Sequence, residues 1–391
     1  DSKVKHHKMS RLINSLIFLS LIACGFAVSS PEDLHVNTYK DLPVYTLSAL
    51  GSLPDGSGIL SGTGQNLSLL ATVDVDAAEI TSASNISEGK FYIGGVLAFD
   101  AEDGFYANLI NFTQSSVAKF SSKMILEGVY DFKSNENAYF SCVLLDFTDS
   151  VLTCLDQESA QQVKVSESGD ITFLRTVKFT SPSSSLYVYQ WVKSATGEYV
   201  GVGTINDGST LVAIALNADL TISTAWKFGG NLFGMPTSIA EVVGAPGVFA
   251  VTGRTTSDQG FVGTFDLMSS TPFSNNYNFY TFEAASEAQL HVASISKYNY
   301  VLYTQDELAL FLGAPNGAFF RGVWSIKLSS PLGSYNISGF QVQTEGNLVV
   351  CAIVNQPETR GGPGDGYIQL VEVDHKKGQI GKSGDVSAGP G

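Results

Sequence analysis

Apolar and polar residues alternate with a period of two along most of this chain, in short stretches bounded by turn-forming residues. NDGSTLVAIALNAD (206–219), SDQGFVGTFDLMS (257–269) and PGDGYIQLVEVD (363–374) each place a polar turn before an alternating apolar run, the pattern of a half-buried β-strand. Further strand-like runs follow, such as ISTAWKF (222–228) and VWSIKLSS (323–330). No window of a dozen residues has apolar positions recurring at three and four with caps at both ends, so no helix is expected.

The strands recur in a fixed order. A short β-rich phrase, often ending in glycine, appears as GILSG (58–62), FYIGG (91–95), YFSCV (139–143), YVGVG (199–203), FAVTG (249–253), YVLYT (300–304) and LVVCA (348–352). Spacings between their last residues are 33, 48, 60, 50, 51 and 48, so four of the six lie within two residues of fifty. Three to four strands per fifty residues is the content of one propeller blade. The expected fold is therefore all-β: a single β-propeller of about seven four-stranded antiparallel blades, or six if the short first interval marks an incomplete one. A blade cannot bury both its faces alone, and stacking in a closed ring supplies the core while hiding most strand edges. Glycine at the end of an inner strand fits this picture if blades crowd together at the channel.

The segment 33–50 has strand-like runs without a glycine phrase and is expected to close the ring by joining the last blade. Residues 375–391 (HKKGQIGKSGDVSAGPG) lack an apolar pattern and are expected to form a flexible tail. The domain reading is thus 1–29 leader and upstream residues, 30–374 propeller, 375–391 tail.

From Gly197 to Ser269 a glycine-ended strand leads through a variable turn to an apolar strand. That strand ends in a turn holding Asn217 and Asp219, and the strand after it ends in Phe228, Gly229 and Gly230. This stretch resembles the β-propeller repeat proteins of the SBBP type. The resemblance covers about seventy residues and implies a propeller at a secreted or surface location, with no catalytic residues to carry over. Other propeller families fit less well: none of Trp191, Trp226 and Trp324 is followed by Asp, Gly94 and Gly95 form a kelch-like pair only once, and Asp258 and Gly260 match half of a sialidase-type Asp-box.

The amino-terminal residues change the compartment. A basic stretch (KVKHHKMSR) precedes the apolar run LIFLSLIACGFAV and a small-residue region, a secretory leader pattern. Ala27 and Ser29 suit cleavage before Ser30; Leu21, Ile22, Ala23 and Cys24 alternatively form a lipobox, with Cys24 as the acylated anchor of a surface lipoprotein. No later stretch reaches the ~20 apolar residues of a membrane span.

The whole chain carries −15, with 37 acidic against 22 basic residues. The leader contributes +3 (Lys3, Lys5, Lys8 and Arg11 against Asp1), leaving −18 from Ser30 onward. Such a charge argues against nucleic acid or anionic membrane as partner.

In an oxidising compartment Cys142 and Cys154, equidistant from Thr148 in AYFSCVLLDFTDSVLTCLD, would face each other across a hairpin; a disulfide and a pair of small buried hydrophobes are both compatible with this. Cys351, in NLVVCAIV, reads as a core thiol. Glycosylation sequons start at Asn66, Asn85, Asn111 and Asn336, a number close to chance for this composition.

Candidate chemistry is sparse. After the leader only His35, His291 and His375 remain, so a Ser/His/Asp triad would rest on His291 inside the strand AQLHVASI, and no GxSxG accompanies it. Clustered Cys and His for zinc are missing. Acidic groups occur at Asp74 and Asp76, at Asp100, Glu102 and Asp103, and at Asp365. Asp100 to Gly104 is the best calcium turn, although its spacing departs from an EF-hand. No cofactor is otherwise implied.

Aromatic residues, 24 Phe and 16 Tyr, should lie mostly between blades, any on a rim serving contact. The expected function is a non-enzymatic secreted propeller making protein–protein or glycan contacts, as a self-assembling subunit of an extracellular coat or filament. The alternative is a carbohydrate-active or other hydrolytic propeller with carboxylates at the channel.

Overall fold

The computed structural model describes residues 34–44, 46–53, 55–64, 67–86, 92–100, 104–110, 115–131, 142–166, 170–179, 186–205, 210–227, 233–267, 279–284, 289–315, 319–331, 333–355, 366–380 and 387–390. The leader with Cys24, the sequons at Asn66 and Asn111, Glu102, Asp103, Asp365 and Phe228 to Gly230 lie outside the described residues.

All regular elements among the described residues are strands. The first is β1 (Val36–Val44). Blade 1 follows as β2 (Thr46–Ser52), β3 (Gly58–Gly64), β4 (Leu67–Asp74) and β5 (Glu79–Asn85). Blade 2 is β6 (Tyr92–Asp100), β7 (Gly104–Ile110), β8 (Ser115–Ser121) and β9 (Leu126–Asp131). Blade 3 is β10 (Leu144–Thr148), β11 (Val151–Leu155), β12 (Ser159–Val165) and β13 (Ile171–Lys178). Blade 4 is β14 (Leu186–Lys193), β15 (Tyr199–Ile205), β16 (Thr210–Leu216) and β17 (Ile222–Lys227).

Blade 5 is β18 (Phe233–Glu241), β19 (Val248–Thr255), β20 (Gly260–Asp266) and β21 (Tyr280–Phe282). Blade 6 is β22 (His291–Ser294), β23 (Asn299–Tyr303), β24 (Glu307–Gly313) and β25 (Phe320–Ser329). Blade 7 takes β26 (Ser334–Val342), β27 (Leu348–Asn355) and β28 (Gly366–Asp374) from the end of the chain and β1 as its outermost strand. The short β29 (Gln379–Ile380) pairs with β28, and β30 (Ser387–Pro390) adds a fifth strand to blade 6.

The fold is a seven-bladed β-propeller. All seven sheets are antiparallel, blades 1 to 6 running through their four strands in chain order, and the first strands of successive blades lie against one another around the axis: β2 with β6, β6 with β10, β10 with β14, β14 with β18, β18 with β22, and β26 with β2. The six-bladed alternative fails because the short first interval between phrases is a shift of phrase, not of blade. FYIGG falls at the start of β6, a first strand, whereas GILSG, YVGVG, FAVTG, YVLYT and LVVCA mark second strands. The second strands begin at residues 58, 104, 151, 199, 248, 299 and 348, at intervals of 46, 47, 48, 49, 51 and 49.

There is one hydrophobic cluster per blade junction, which explains why second and third strands read as near-continuous apolar runs. In β27, Leu348, Val350, Ala352 and Val354 turn to blade 6 while Val349, Cys351 and Ile353 turn to blade 1, all at most 1% exposed. Phe249, Phe261 and Phe265 fill the junction of blades 4 and 5, and Phe105 stacks on Phe120 between blades 1 and 2. Fully buried Cys351 has its thiol pushed up by burial, as a core residue should.

The glycines of the repeated phrase sit there for a different reason from channel crowding. A Cβ on Gly203 would stand 2.0 Å from the Tyr187 carbonyl oxygen, and one on Gly253 would stand 2.3 Å from that of Met235. Both obstacles are the backbone of the same blade's first strand, which bulges over the second at Val188/Gln190 and at Phe233/Pro236.

The segment 33–50 splits into two roles. β1 pairs antiparallel with β28 from Val36↔Val371 to Tyr39↔Ile368, closing the ring, while 46–52 opens blade 1. The closure is tightened by Glu372, 4% exposed, whose carboxylate accepts from the backbone N–H of His35 and from the Gln343 side chain. Within 375–391, where no apolar pattern exists, backbone pairing places 379–380 beside β28 and 387–390 beside β25.

In blade 3 the hairpin turns at Asp149 and Ser150, both with positive φ (52° and 63°), as a type I′ turn requires, so β10 runs on through Thr148. Its centre is displaced from Thr148. Cys142 and Cys154 are nonetheless disulfide-bonded, with Cα atoms 5.3 Å apart, because the chain before β10 crosses back over β11, where Val143 N–H donates to the Leu155 carbonyl.

Candidate functional site

The turns that join first to second and third to fourth strands gather on one face of the ring. At the closing seam between blades 7 and 1 they leave an open cleft of about 590 Å³. Its walls are Asp55, Gly56 and Ser57 from the turn after β2, Asp74, Val75 and Asp76 from the end of β4, Thr81 of β5, and Gln341 to Thr344 from the end of β26.

Each carboxylate of the cleft holds part of its wall. Asp55 accepts from the backbone N–H and hydroxyl of Ser57 at 2.9 and 2.7 Å, which holds its carboxyl below the usual value. Asp74 accepts from the Ala77 N–H at 3.0 Å. Asp76 reaches across the seam to the N–H and hydroxyl of Thr344, both at 2.7 Å. Beneath them Gln343 donates to the carbonyls of Val75 and Asp76.

The lining residues include three Asp, two Gln and three hydroxyl groups, and no Lys, Arg, His or Cys. Such a surface repels anions and offers free acceptor positions to groups that donate hydrogen bonds, such as sugar hydroxyls or amines. Its Ser57 and Thr344 hydroxyls donate to Asp55 and Asp76, so each is tied into the wall.

Carboxylates on the first strands are also in structural use. Asp146 of β10 accepts from Lys193 Nζ, at 2.8 Å to each oxygen, and from the Tyr199 hydroxyl at 2.8 Å, tying blade 3 to blade 4. Glu241 of β18 accepts from the Ser194 hydroxyl and the N–H groups of Ala195 and Gly247, tying blade 4 to blade 5. Asp100 of β6 pairs with Gly104 across a hairpin whose tip is outside the described residues. Among the described residues no three His, Cys, Asp or Glu side chains converge as a metal site, and no helix is long and apolar enough to cross a membrane.

The histidines are spread over the seams. His35 lies at the start of β1 and His291 on β22, stacked on Tyr303 at 4.8 Å, with Phe340 of blade 7 edge-on to Tyr303. His375 follows β28, its carbonyl held by the Trp324 indole at 2.8 Å. Burial lowers the affinity of His291 and of His375 for a proton, from an ordinary pKa of 6.5.

A histidine depressed in the folded state makes stability complete above the unfolded value and erodes it as pH falls below 6.5. His291 alone gives a slope of up to ~1.4 kcal/mol per pH unit. The melting temperature is therefore expected to fall between pH 7 and 5.5, and His291→Gln to flatten that fall; calorimetry at stepped pH checks it. Asp156 and Glu307, raised chiefly by burial, act with the opposite sign nearer their own lower range.

Of the sequons, Asn85 ends the outermost strand of blade 1 and is exposed, while Asn336 is half-buried on the first strand of blade 7. The Asn217–Asp219 turn is closed by Thr221, bonded to both side chains.

The outer strands reveal what no periodicity announced. Ile125, Leu126 and Val129 of blade 2 are 62, 50 and 44% exposed, and Phe173 and Leu174 of the neighbouring blade 3 are 57 and 42% exposed. A rim strand has one face of little use to the core, so apolar residues there stand out only once the strand's place in its blade is known.

No protein-family profile matches the chain, and no curated protein matches it. Among solved structures, the Dos1 propeller aligns with a TM-score of 0.56 at 11% identity, over 92% of this chain and 96% of that one. A chain of the mitotic checkpoint complex aligns at 0.55 and 13% identity, over 84% and 94%. The Pan2 WD40 domain of Neurospora crassa aligns at 0.53 and 12%, over 88% and 97%. At these identities the likeness is one of fold.

Proposed function

We propose that this protein is a secreted, non-enzymatic propeller that binds protein, including further copies of itself, as a subunit of an extracellular coat or filament, with glycan contact at the acidic seam cleft. The propeller fold supports a protein-interaction role, and a propeller of similar fold is part of the mitotic checkpoint complex. The observation that carries the reading is the set of large apolar side chains exposed on the outer strands of blades 2 and 3. Soluble surfaces seldom spend such residues without a contact to cover them. The leader pattern and the resemblance to SBBP-type repeats support secretion.

The rival reading, a hydrolytic propeller, needs two free carboxylates ~5–9 Å apart at the channel. Asp146 and Glu241, on described first strands, instead hold neighbouring blades. Native mass measurement of the purified protein tests the proposal: multimers that grow with concentration are expected. Ile125→Lys with Phe173→Lys should return the chain to monomer. A wild-type chain that stays monomeric at high micromolar concentration overturns self-assembly.

A further inference from the structure

Among the described residues, the fourth strand of blade 6 carries an added strand on its outer edge. β30 lies antiparallel on β25, from Ser329↔Ser387 to Ile326↔Pro390. It covers only the second half of β25; among the described residues no strand pairs with Phe320 to Trp324 on that side.

β30 has little to hold it. Ordering four residues costs backbone freedom that the few ladder hydrogen bonds, each exchanged against a bond to water, scarcely offset. Serine, alanine, glycine and proline bring almost no apolar surface to offset the difference. A longer strand seated on the whole of β25 would make more ladder bonds and cover more apolar surface.

The uncovered half also has a chemical character. Phe319 and Val323 are 49 and 44% exposed there, and Arg321 is exposed on the same strand. Trp324 holds the carbonyl of His375, which brings the exposed Lys376 and Lys377 to this end of β25, while Lys327 lies further along it. Of the acids near this edge, Asp374 is buried at the base of the Lys376 turn and accepts from the backbone N–H groups of Lys376 and Lys377, and the other two are Asp306, paired with Lys327 at 3.3 Å, and Glu307, opposite Lys327 in the ladder. The latter two sit at the half that β30 covers. In a chain of net charge −15 the open half is thus locally basic and apolar.

From this edge we infer that β25 is a strand-addition site for an extended acidic segment of a partner protein with apolar residues at alternate positions, and that Ser387–Pro390 occupies part of it until such a segment displaces it. The inference rests on the protein-binding reading above and gives it a place and a partner chemistry.

The test uses the full chain and a blocked decapeptide alternating glutamate and valine, with its lysine–valine counterpart as control, read by fluorescence anisotropy. Ala388→Pro with Gly389→Pro leaves Ser387 as the one residue of β30 with a backbone N–H and is expected to tighten binding of the acidic peptide at least tenfold. Arg321→Glu is expected to weaken the acidic peptide and favour the lysine one. Hydrogen exchange should show residues 320–325 gaining protection and 387–390 losing it as the peptide binds.

Equal affinity of wild type and the proline variant, equal binding of both peptides, or unchanged exchange on β25 overturns the inference. Because binding is read on the monomer, these results are independent of whether the chain associates with itself.

Discussion

A chain lacking residues 34–44 is expected to lose its cooperative melt altogether. Among the described residues β1 fills the outermost place in blade 7, and its removal strips five backbone pairings from β28. Leu34 and Val44, 6 and 0% exposed, leave the core with it, as do the contacts of Tyr39 and Leu42 with the junction of blades 7 and 1. At ~1 kcal/mol net per hydrogen bond and ~1.5–3 kcal/mol per buried side chain, the loss is comparable to the ~5–15 kcal/mol by which folded proteins are stable.

Glu372 would also lose the His35 N–H, and β28 would become an open, apolar edge prone to pair between molecules. Far-ultraviolet circular dichroism on heating, with sedimentation of the same sample, checks this. A truncated chain that stays monomeric and melts within a few degrees of the intact one refutes it.

The second large effect is expected at the glycines under the first strands. Gly203→Ala and Gly253→Ala each drive a methyl into a carbonyl oxygen that belongs to a strand pinned on its other side by the next blade, so the backbone must move. A loss of ~3 kcal/mol is expected for each, at the upper end of overpacking costs. Gly339→Ala is the control: it lies on the first strand of blade 7, its Cβ meets nothing within 4 Å, and its change should stay within ~0.5 kcal/mol. Urea unfolding of the three variants ranks them. Were channel crowding the reason for the glycines, the order would be reversed, with Gly339 the most sensitive.

These two cases show what could be read in the sequence and what could not. Period-two alternation and a repeat near fifty residues are local properties of the chain, and they carry the fold class and the blade number to within one. The choice between six and seven needed the position of each phrase within its blade. FYIGG and YVGVG look alike as text, yet one opens a first strand and the other forms a second, because apolar alternation does not encode which neighbour a strand will have. The role of Gly203 failed for the same reason: its obstacle, the Tyr187 carbonyl, is a backbone atom sixteen residues away with no sequence signature.

The site was less legible still. Asp74 and Asp76 stood out as acidic residues, but the facing wall of the cleft, with the Thr344 that meets Asp76, comes from residues 341–344, joined to them only by ring closure. Glu241 and Asp146 gave no signal, since a carboxylate that ties two blades together looks in sequence like any solvated one.

The bond between His35 and Glu372 spans 337 residues. On the ribosome β1 therefore emerges long before β28, its partner, and six blades are made before the circle can shut. Native stability arrives late and all at once, and the interval before it is when a chaperone has most to do.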